Sequence, residues 1–116
     1  TTLVRPQGKN SKEVKVFEET GGLSGRPLFD RSTEMIRIVN RLTDGEWPIV
    51  GVGGIMSADD AWKKINAGAT LLQAYSGFVF EGPSLTKTVV NGLHRKLRDH
   101  GYSTLIDAVG KDADSP

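Results

Sequence analysis

The sequence predicts an α/β fold made of parallel β-α units. Two observations carry that prediction. Short apolar runs alternate along the chain with longer stretches of helical periodicity, in the order loop, helix, strand, helix, strand, helix. One of those runs, Ile49-Val50-Gly51-Val52, is apolar at successive positions, which is the pattern of a strand buried on both faces of a parallel sheet.

Each element has its own local reason. Residues 1–32 read as loop, with turn and breaker chemistry at Arg5-Pro6, Gln7-Gly8 and Lys9-Asn10. Within them Lys12–Phe17 alternates weakly, as a short strand or an extended stretch would. Gly21-Gly22-Leu23-Ser24-Gly25-Arg26-Pro27 packs three glycines and a proline into seven residues and resists regular structure. A helix is predicted over Ser32–Thr43, where Met35, Ile36, Val39 and Leu42 make one apolar stripe, with Gly45 as its stop. Pro48 opens the first strand, and Gly53-Gly54 ends it. Ser57 stands three residues before Asp60, a capping box with Asp in place of Glu, so a second helix is predicted over Ala58–Ala67 and stopped by Gly68. Thr70–Tyr75 is the second strand. Leu85, Val89, Leu93 and Leu97 recur every four residues and predict a long helix over Ser84–His100, with Gly101 as its stop. A short helix is expected near Thr104–Val109, and a polar, frayed tail over Lys111–Pro116.

Two strands do not make a self-sufficient parallel sheet, because both faces and both edges need cover. The chain reads as one unit, residues 1–116, forming the C-terminal portion of a (β/α)8 TIM barrel, a fold that takes about 250 residues. The start, Thr1-Thr2-Leu3-Val4-Arg5-Pro6, has neither an initiator Met nor the features of a signal peptide, as expected of a chain cut from a longer one.

Composition excludes several function classes. Fifteen Lys and Arg against fourteen Asp and Glu give a net charge of +1, and no basic cluster is interleaved with aromatics, so nucleic acid is not an expected partner. No cysteine is present, which removes disulfides, thiolate metal sites and cysteine nucleophiles. His94 and His100 are the two histidines, and no metal site is expected. No run of about 18 apolar residues exists to span a bilayer.

Three glycine-rich loops carry the candidate chemistry. Gly51-Val52-Gly53-Gly54 closes a strand just before a helix. Glycine permits close backbone approach, and the helix start offers free N–H groups and a positive dipole end that favour phosphate. The alternative is a tight strand-to-helix turn with no ligand. Tyr75-Ser76-Gly77 ends the next strand, where Ser76 either faces the same mouth or caps a helix. Gly21–Gly25 either belongs to the preceding strand-to-helix loop or is a flexible connection. The convergence of all three on one barrel face, where phosphate recurrently binds, weighs more than any one loop. Met56 in place of a third glycine breaks the dinucleotide fingerprint, and Arg26 breaks a nucleophile elbow around Ser24. Trp47 and Trp62 read as packing residues, Asp59-Asp60 as a helix N-terminal charge complement, and Lys63, Lys64, Arg95, Lys96 and Arg98 as solvated helix faces.

Taken in order, Gly21–Leu28, Ser32-Thr33-Glu34, Pro48–Ile55, Gln73–Phe78 and Glu81-Gly82-Pro83 form a series that closely resembles the C-terminal portion of class 2, quinone-dependent dihydroorotate dehydrogenases. Thr1-Thr2 with Arg5-Pro6 also resembles the segment before the glycine loop in that class.

The resemblance implies a (β/α)8 barrel with FMN across its top, oxidising dihydroorotate to orotate in pyrimidine biosynthesis and passing electrons to a quinone. By resemblance, Ser24 and Gly25 approach FMN, Gly53 and Gly54 offer N–H groups to its phosphate, and Tyr75 and Ser76 complete that site. Thr1 matches a residue that binds the pyrimidine. Tyr75, Phe78, Val79 and Pro83 lie where the quinone tunnel is bordered. The family's catalytic base, its pyrimidine-binding asparagines and its membrane-docking region correspond to sequence ahead of Thr1, so no catalytic residue is assigned here. The expected partners are the remainder of the barrel, in another segment or chain, and a mitochondrial inner or bacterial cytoplasmic membrane reached through a region absent here. The alternatives are a non-catalytic FMN- or phosphate-binding fragment and another FMN-dependent barrel oxidoreductase.

Overall fold

The computed structural model describes residues 1–3 and 20–113. The stretch expected over Lys12–Phe17 lies outside the described residues, as do Arg5-Pro6 and residues 114–116.

A single 3-10 turn over Arg26–Leu28 leads into helix α1 (Phe29–Leu42). Pro27 fixes a backbone angle suited to a helix start and has no N–H to satisfy, so the helix begins ahead of Ser32, where the apolar stripe had placed it. Gly45 does end it, with φ +72° and its N–H donated to the Asn40 carbonyl at 2.8 Å. Strand β1 (Val50–Val52), helix α2 (Ala58–Asn66) and strand β2 (Leu71–Gln73) then make one β-α-β unit. The strands are parallel and directly paired, with Val50 opposite Leu71, Gly51 opposite Leu72 and Val52 opposite Gln73. Helix α3 (Ser76–Glu81), which the periodicity did not foresee, precedes α4 (Ser84–Asp99) and a 3-10 turn over Ile106–Ala108. Six residues are too few to show an apolar period, and α3 leaves Val79 and Phe80 exposed.

Helix α2 is fixed at both ends. Ser57 Oγ accepts from the Asp60 N–H at 3.1 Å, while the Asp60 carboxylate accepts from Ser57 Oγ at 2.9 Å and from the Met56 N–H at 3.1 Å. This is the capping box read from the sequence, closed by Asp. Asp59 pairs with Lys96 of α4 at 2.6 Å, and that ammonium holds its carboxyl below the usual carboxylate range. Inside, Ile36, Trp62, Ile65, Ala67, Ala69 and Ala108 form the core. Asn66 is the polar tie within it. With its amide oriented to satisfy both neighbours, it accepts from Trp62 Nε1 at 2.8 Å and donates to the Ala108 carbonyl at 3.0 Å.

Four expectations need correction. Strand β1 is not buried on both faces: Val50 and Val52 are 50% and 45% exposed, while Gly51 between them is buried. Helix α1 and Ala69 pack on the face that Gly51 presents, so the valines look away from the helical layer. Trp47 is 65% exposed and packs little, because it sits in the turn beyond α1. The tail is less frayed than its polarity suggested: the Asp112 N–H donates to the Asn66 carbonyl at 2.9 Å and Ala113 is buried. Lys64 is not on a solvated face, as described below.

Two outcomes follow. Asn66→Ala strands the indole N–H and a buried carbonyl and is expected to cost about 1–3 kcal/mol, read by chemical denaturation. A loss near zero would mean those groups find other partners. In the 116-residue chain by itself, the exposed valine face should leave the Ile49–Val52 amides poorly protected in hydrogen exchange. Strong protection there would contradict this account of the sheet.

Candidate functional site

Parallel pairing sends the C-terminal ends of β1 and β2 to the same edge of the sheet, so the loops after both strands meet. The loop after β1 is Gly53-Gly54, at φ +101° and +73°, values that side-chain-bearing residues rarely adopt. Gly54 lies against the first residue of α1. A methyl group there would stand 2.6 Å from Phe29 Cβ and 2.9 Å from its nitrogen. A methyl group on Gly53 would stand 2.9 Å from Ser32 Oγ. The loop after β2 opens α3, where buried Gly77 packs on the Ile55 carbonyl, leaving no room for a side chain. The third loop closes over these two. Gly25, at φ +84°, is near enough that a methyl group on it would touch Ser76 Cβ at 3.6 Å. Its base is tied by paired hydrogen bonds between Thr2 and Leu23, at 2.9 and 2.8 Å.

Together the loops enclose a cavity of about 100 Å³. Ser24, Gly25, Gly53, Gly54, Tyr75 and Ser76 all line it, and so does Thr1. The six residues assigned to cofactor and the one assigned to substrate are therefore brought to one place. Gln73 and Gly77 line it as well, though neither was assigned a role in the site from sequence. Neither Gly53 nor Gly54 gives its N–H to a backbone acceptor among the described residues. Three positive-φ glycines, free main-chain donors and two serine hydroxyls make a small cradle suited to a phosphate group. Ser76 does not act as a helix cap: it is the first residue of α3, Tyr75 holds the cap position, and no side-chain cap bond forms.

The residues expected to border a quinone tunnel are spread more widely. Tyr75 is at the cavity and 78% exposed. Phe78 lines a separate apolar groove of about 330 Å³ with Leu72, Leu85 and Val89. Val79 and Pro83 are exposed and line neither space.

Lys64 is the residue that the charge pattern misplaced. It is fully buried between α1 and α2, with Nζ donating to Ser32 Oγ at 2.8 Å and Thr33 Oγ1 at 3.0 Å, 4.8 Å from the centre of the Phe29 ring. Burial lowers its ammonium to about 8, against the opposing pull of the Asp60 and Asp30 carboxylates. A signal was present. Ala61, Lys64, Ile65 and Gly68 occupy the i, i+3, i+4 and i+7 positions of one helical face, so Lys64 fills an inward slot. Among the described residues no helix is long and apolar enough to cross a membrane.

Comparisons with known proteins agree with this geometry. The family profile described as Dihydroorotate dehydrogenase matches residues 1–97. The chain is 46% identical over 115 residues to a protein of Nostoc punctiforme named dihydroorotate dehydrogenase (quinone), covering 99% of this chain and 29% of that protein. A protein of the same name from Synechococcus elongatus is 56% identical over 95 residues, covering 82% of this chain and 25% of the relative. Among solved structures, the Eimeria tenella dihydroorotate dehydrogenase in complex with ferulenol superposes with a TM-score of 0.86 at 35% identity, over 100% of this chain and 30% of that one. The chain thus spans about three-tenths of the length of such relatives, and its β-α units are part of a (β/α)8 barrel. By sequence and by fold, the chain belongs to the dihydroorotate dehydrogenase family, on its quinone-linked, class 2 branch.

Proposed function

We propose that this chain is the C-terminal, phosphate-gripping part of an FMN-dependent barrel that oxidises dihydroorotate to orotate and reduces a quinone. The observation that carries the reading is the meeting of three glycine loops around one cavity of about 100 Å³. The cavity fits the phosphate of FMN: glycine backbone at positive φ and the hydroxyls of Ser24 and Ser76 contribute to its wall. When bound, FMN supplies the hydride acceptor for the pyrimidine and the electron donor for the quinone.

The residues of this chain bind and orient. Gly53 and Gly54 present N–H groups to the phosphate, Ser76 and Ser24 add hydroxyls, and Gly25 permits the third loop to close over it. Thr1, on the wall of the same cavity, is placed to hydrogen-bond the pyrimidine. Tyr75, Phe78, Val79 and Pro83 border the quinone path, for which their exposure and the apolar groove at Phe78 are the support. The remainder of the barrel covers the half-exposed Val50 and Val52 and supplies the base. Membrane association, at the mitochondrial inner or bacterial cytoplasmic membrane, is proposed to run through a region outside this chain.

The complete protein is expected to show a flavin absorption spectrum that bleaches anaerobically on adding dihydroorotate. A colourless protein, or a flavin that dihydroorotate leaves oxidised, would reduce the reading to a phosphate grip or remove it. Gly54→Ala, which drives a methyl group into Phe29 at a positive φ, should lower the bound flavin per protein by about tenfold or more in absorbance. Full occupancy in that variant would separate Gly54 from the phosphate site.

A further inference from the structure

We propose that Lys64 is a positioning residue for the phosphate cavity, its buried ammonium acting through the Ser32 hydroxyl to fix the Gly53 carbonyl and hence the aim of the Gly53 and Gly54 N–H groups. The inference rests on the proposed reading that this cavity takes the FMN phosphate.

Two of the hydrogen-bond directions are fixed by counting. A lysine ammonium only donates. Ser32 Oγ and Thr33 Oγ1 therefore each accept from Lys64, and each must point its own hydrogen elsewhere. Thr33 gives its hydrogen to the Phe29 carbonyl at 2.7 Å. Ser32 has two acceptors in reach, the same Phe29 carbonyl at 3.1 Å and the Gly53 carbonyl at 3.3 Å. A carbonyl oxygen accepts two hydrogen bonds, so the Ser32 hydrogen is shared between the Phe29 and Gly53 carbonyls. The result is a relay from Lys64 to Ser32 to Gly53 that crosses from α2 through α1 to the loop after β1. It reaches a turn whose other residue, Gly54, lies against Phe29.

Lys64 is also a costly way to fill space. It is fully buried, and among the described residues no carboxylate lies within ion-pair distance of it. Asp60, one turn earlier, is engaged by Met56 and Ser57, and Asp30 is exposed. An apolar residue of similar length would fill the same slot without stranding a charge. A dianion in the cavity, three hydrogen bonds away along this relay, offsets that charge, so anion binding and the Lys64 charge favour one another.

This coupling has a pH signature. The charged groups facing Lys64 are Asp30 on α1, Asp60 on its own helix, and Lys63, which lies 6.0 Å from the centre of the same Phe29 ring. The ammonium titrates near 8 in the fold and near its ordinary 10.5 when unfolded. Between these values the unfolded chain binds more protons, so this group makes the fold more stable as pH rises. The grip on phosphate changes in the opposite direction, weakening as Lys64 loses its charge.

The test uses the full-length protein, stripped of cofactor and titrated with FMN and with riboflavin, which lacks the phosphate. K64M should weaken FMN by about tenfold, leave riboflavin within about twofold, and abolish the fall in FMN affinity above about pH 8. S32A, which cuts the relay and keeps the lysine, should move FMN in the same direction, and it decides the matter if K64M does not fold. Equal losses for both ligands, or unchanged FMN affinity with only a shifted Tm, would overturn the inference. An unmodified protein that binds neither ligand would instead overturn the functional reading beneath it. An unmodified protein that binds FMN, alongside variants that bind it equally well, would sink only the role of Lys64.

Discussion

The rest of this structure depends on a pair of glycines laid over the first turn of a helix. Gly54 meets the Phe29 backbone, Gly53 meets Ser32, and neither contact tolerates a Cβ. That close approach sets the depth at which β1 meets α1. Gly51 shows the same requirement one layer down, where a methyl group would stand 2.8 Å from Ala69 Cβ and 3.3 Å from Ile36 Cδ1. Small residues at the crossing let the helical layer settle close to the sheet, and parallel pairing then carries the loop after β2 to the same edge. Once Gly77 packs on Ile55, the start of α3 is fixed beside the glycine pair, and Gly25 can close the third side. The cavity is thus a product of backbone packing more than of side-chain design.

Two buried polar residues, Asn66 and Lys64, join elements that are distant in sequence. Asn66 ties the indole of Trp62 to the carbonyl of Ala108, while Lys64 ties α2 to the hydroxyls at the start of α1. Both residues lie on the inner face of α2, whose N-terminus is locked by the Ser57–Asp60 exchange. The helix between the two strands therefore fixes the sheet spacing on one side and the glycine loop on the other. The apolar faces of the strands, by contrast, stay half exposed at Val50 and Val52.

Much of this was legible in the residues. The β-α-β order, the capping box at Ser57, the helix stops at Gly45 and Gly68, and the meeting of three glycine-rich loops follow from period, caps and glycine positions, while the particular set of Ser24, Gly25, Gly53, Gly54, Tyr75 and Ser76 came from the family resemblance. Other features were not. Lys64 was assigned to solvent because a charged residue is usually exposed, and only its place in the inward stripe argued otherwise. The short α3 is too brief for periodicity to register, and its position is set by the contact of Gly77 with Ile55. Trp47 was assigned to packing by its size, yet the turn that carries it stands clear of the core. The exposure of β1 depends on which faces the helices cover, a tertiary fact that a short apolar run does not encode.

These three loops are proposed to grip the phosphate of a flavin nucleotide. A crystal structure of the complete protein with FMN bound tests that proposal most directly. Phosphate density is expected between Gly25, Gly54 and Ser76, with glycine N–H groups as donors and the Lys64–Ser32–Gly53 chain of hydrogen bonds intact beneath it. A phosphate held elsewhere in the barrel, with this cavity empty or filled by Tyr75, would contradict the proposal.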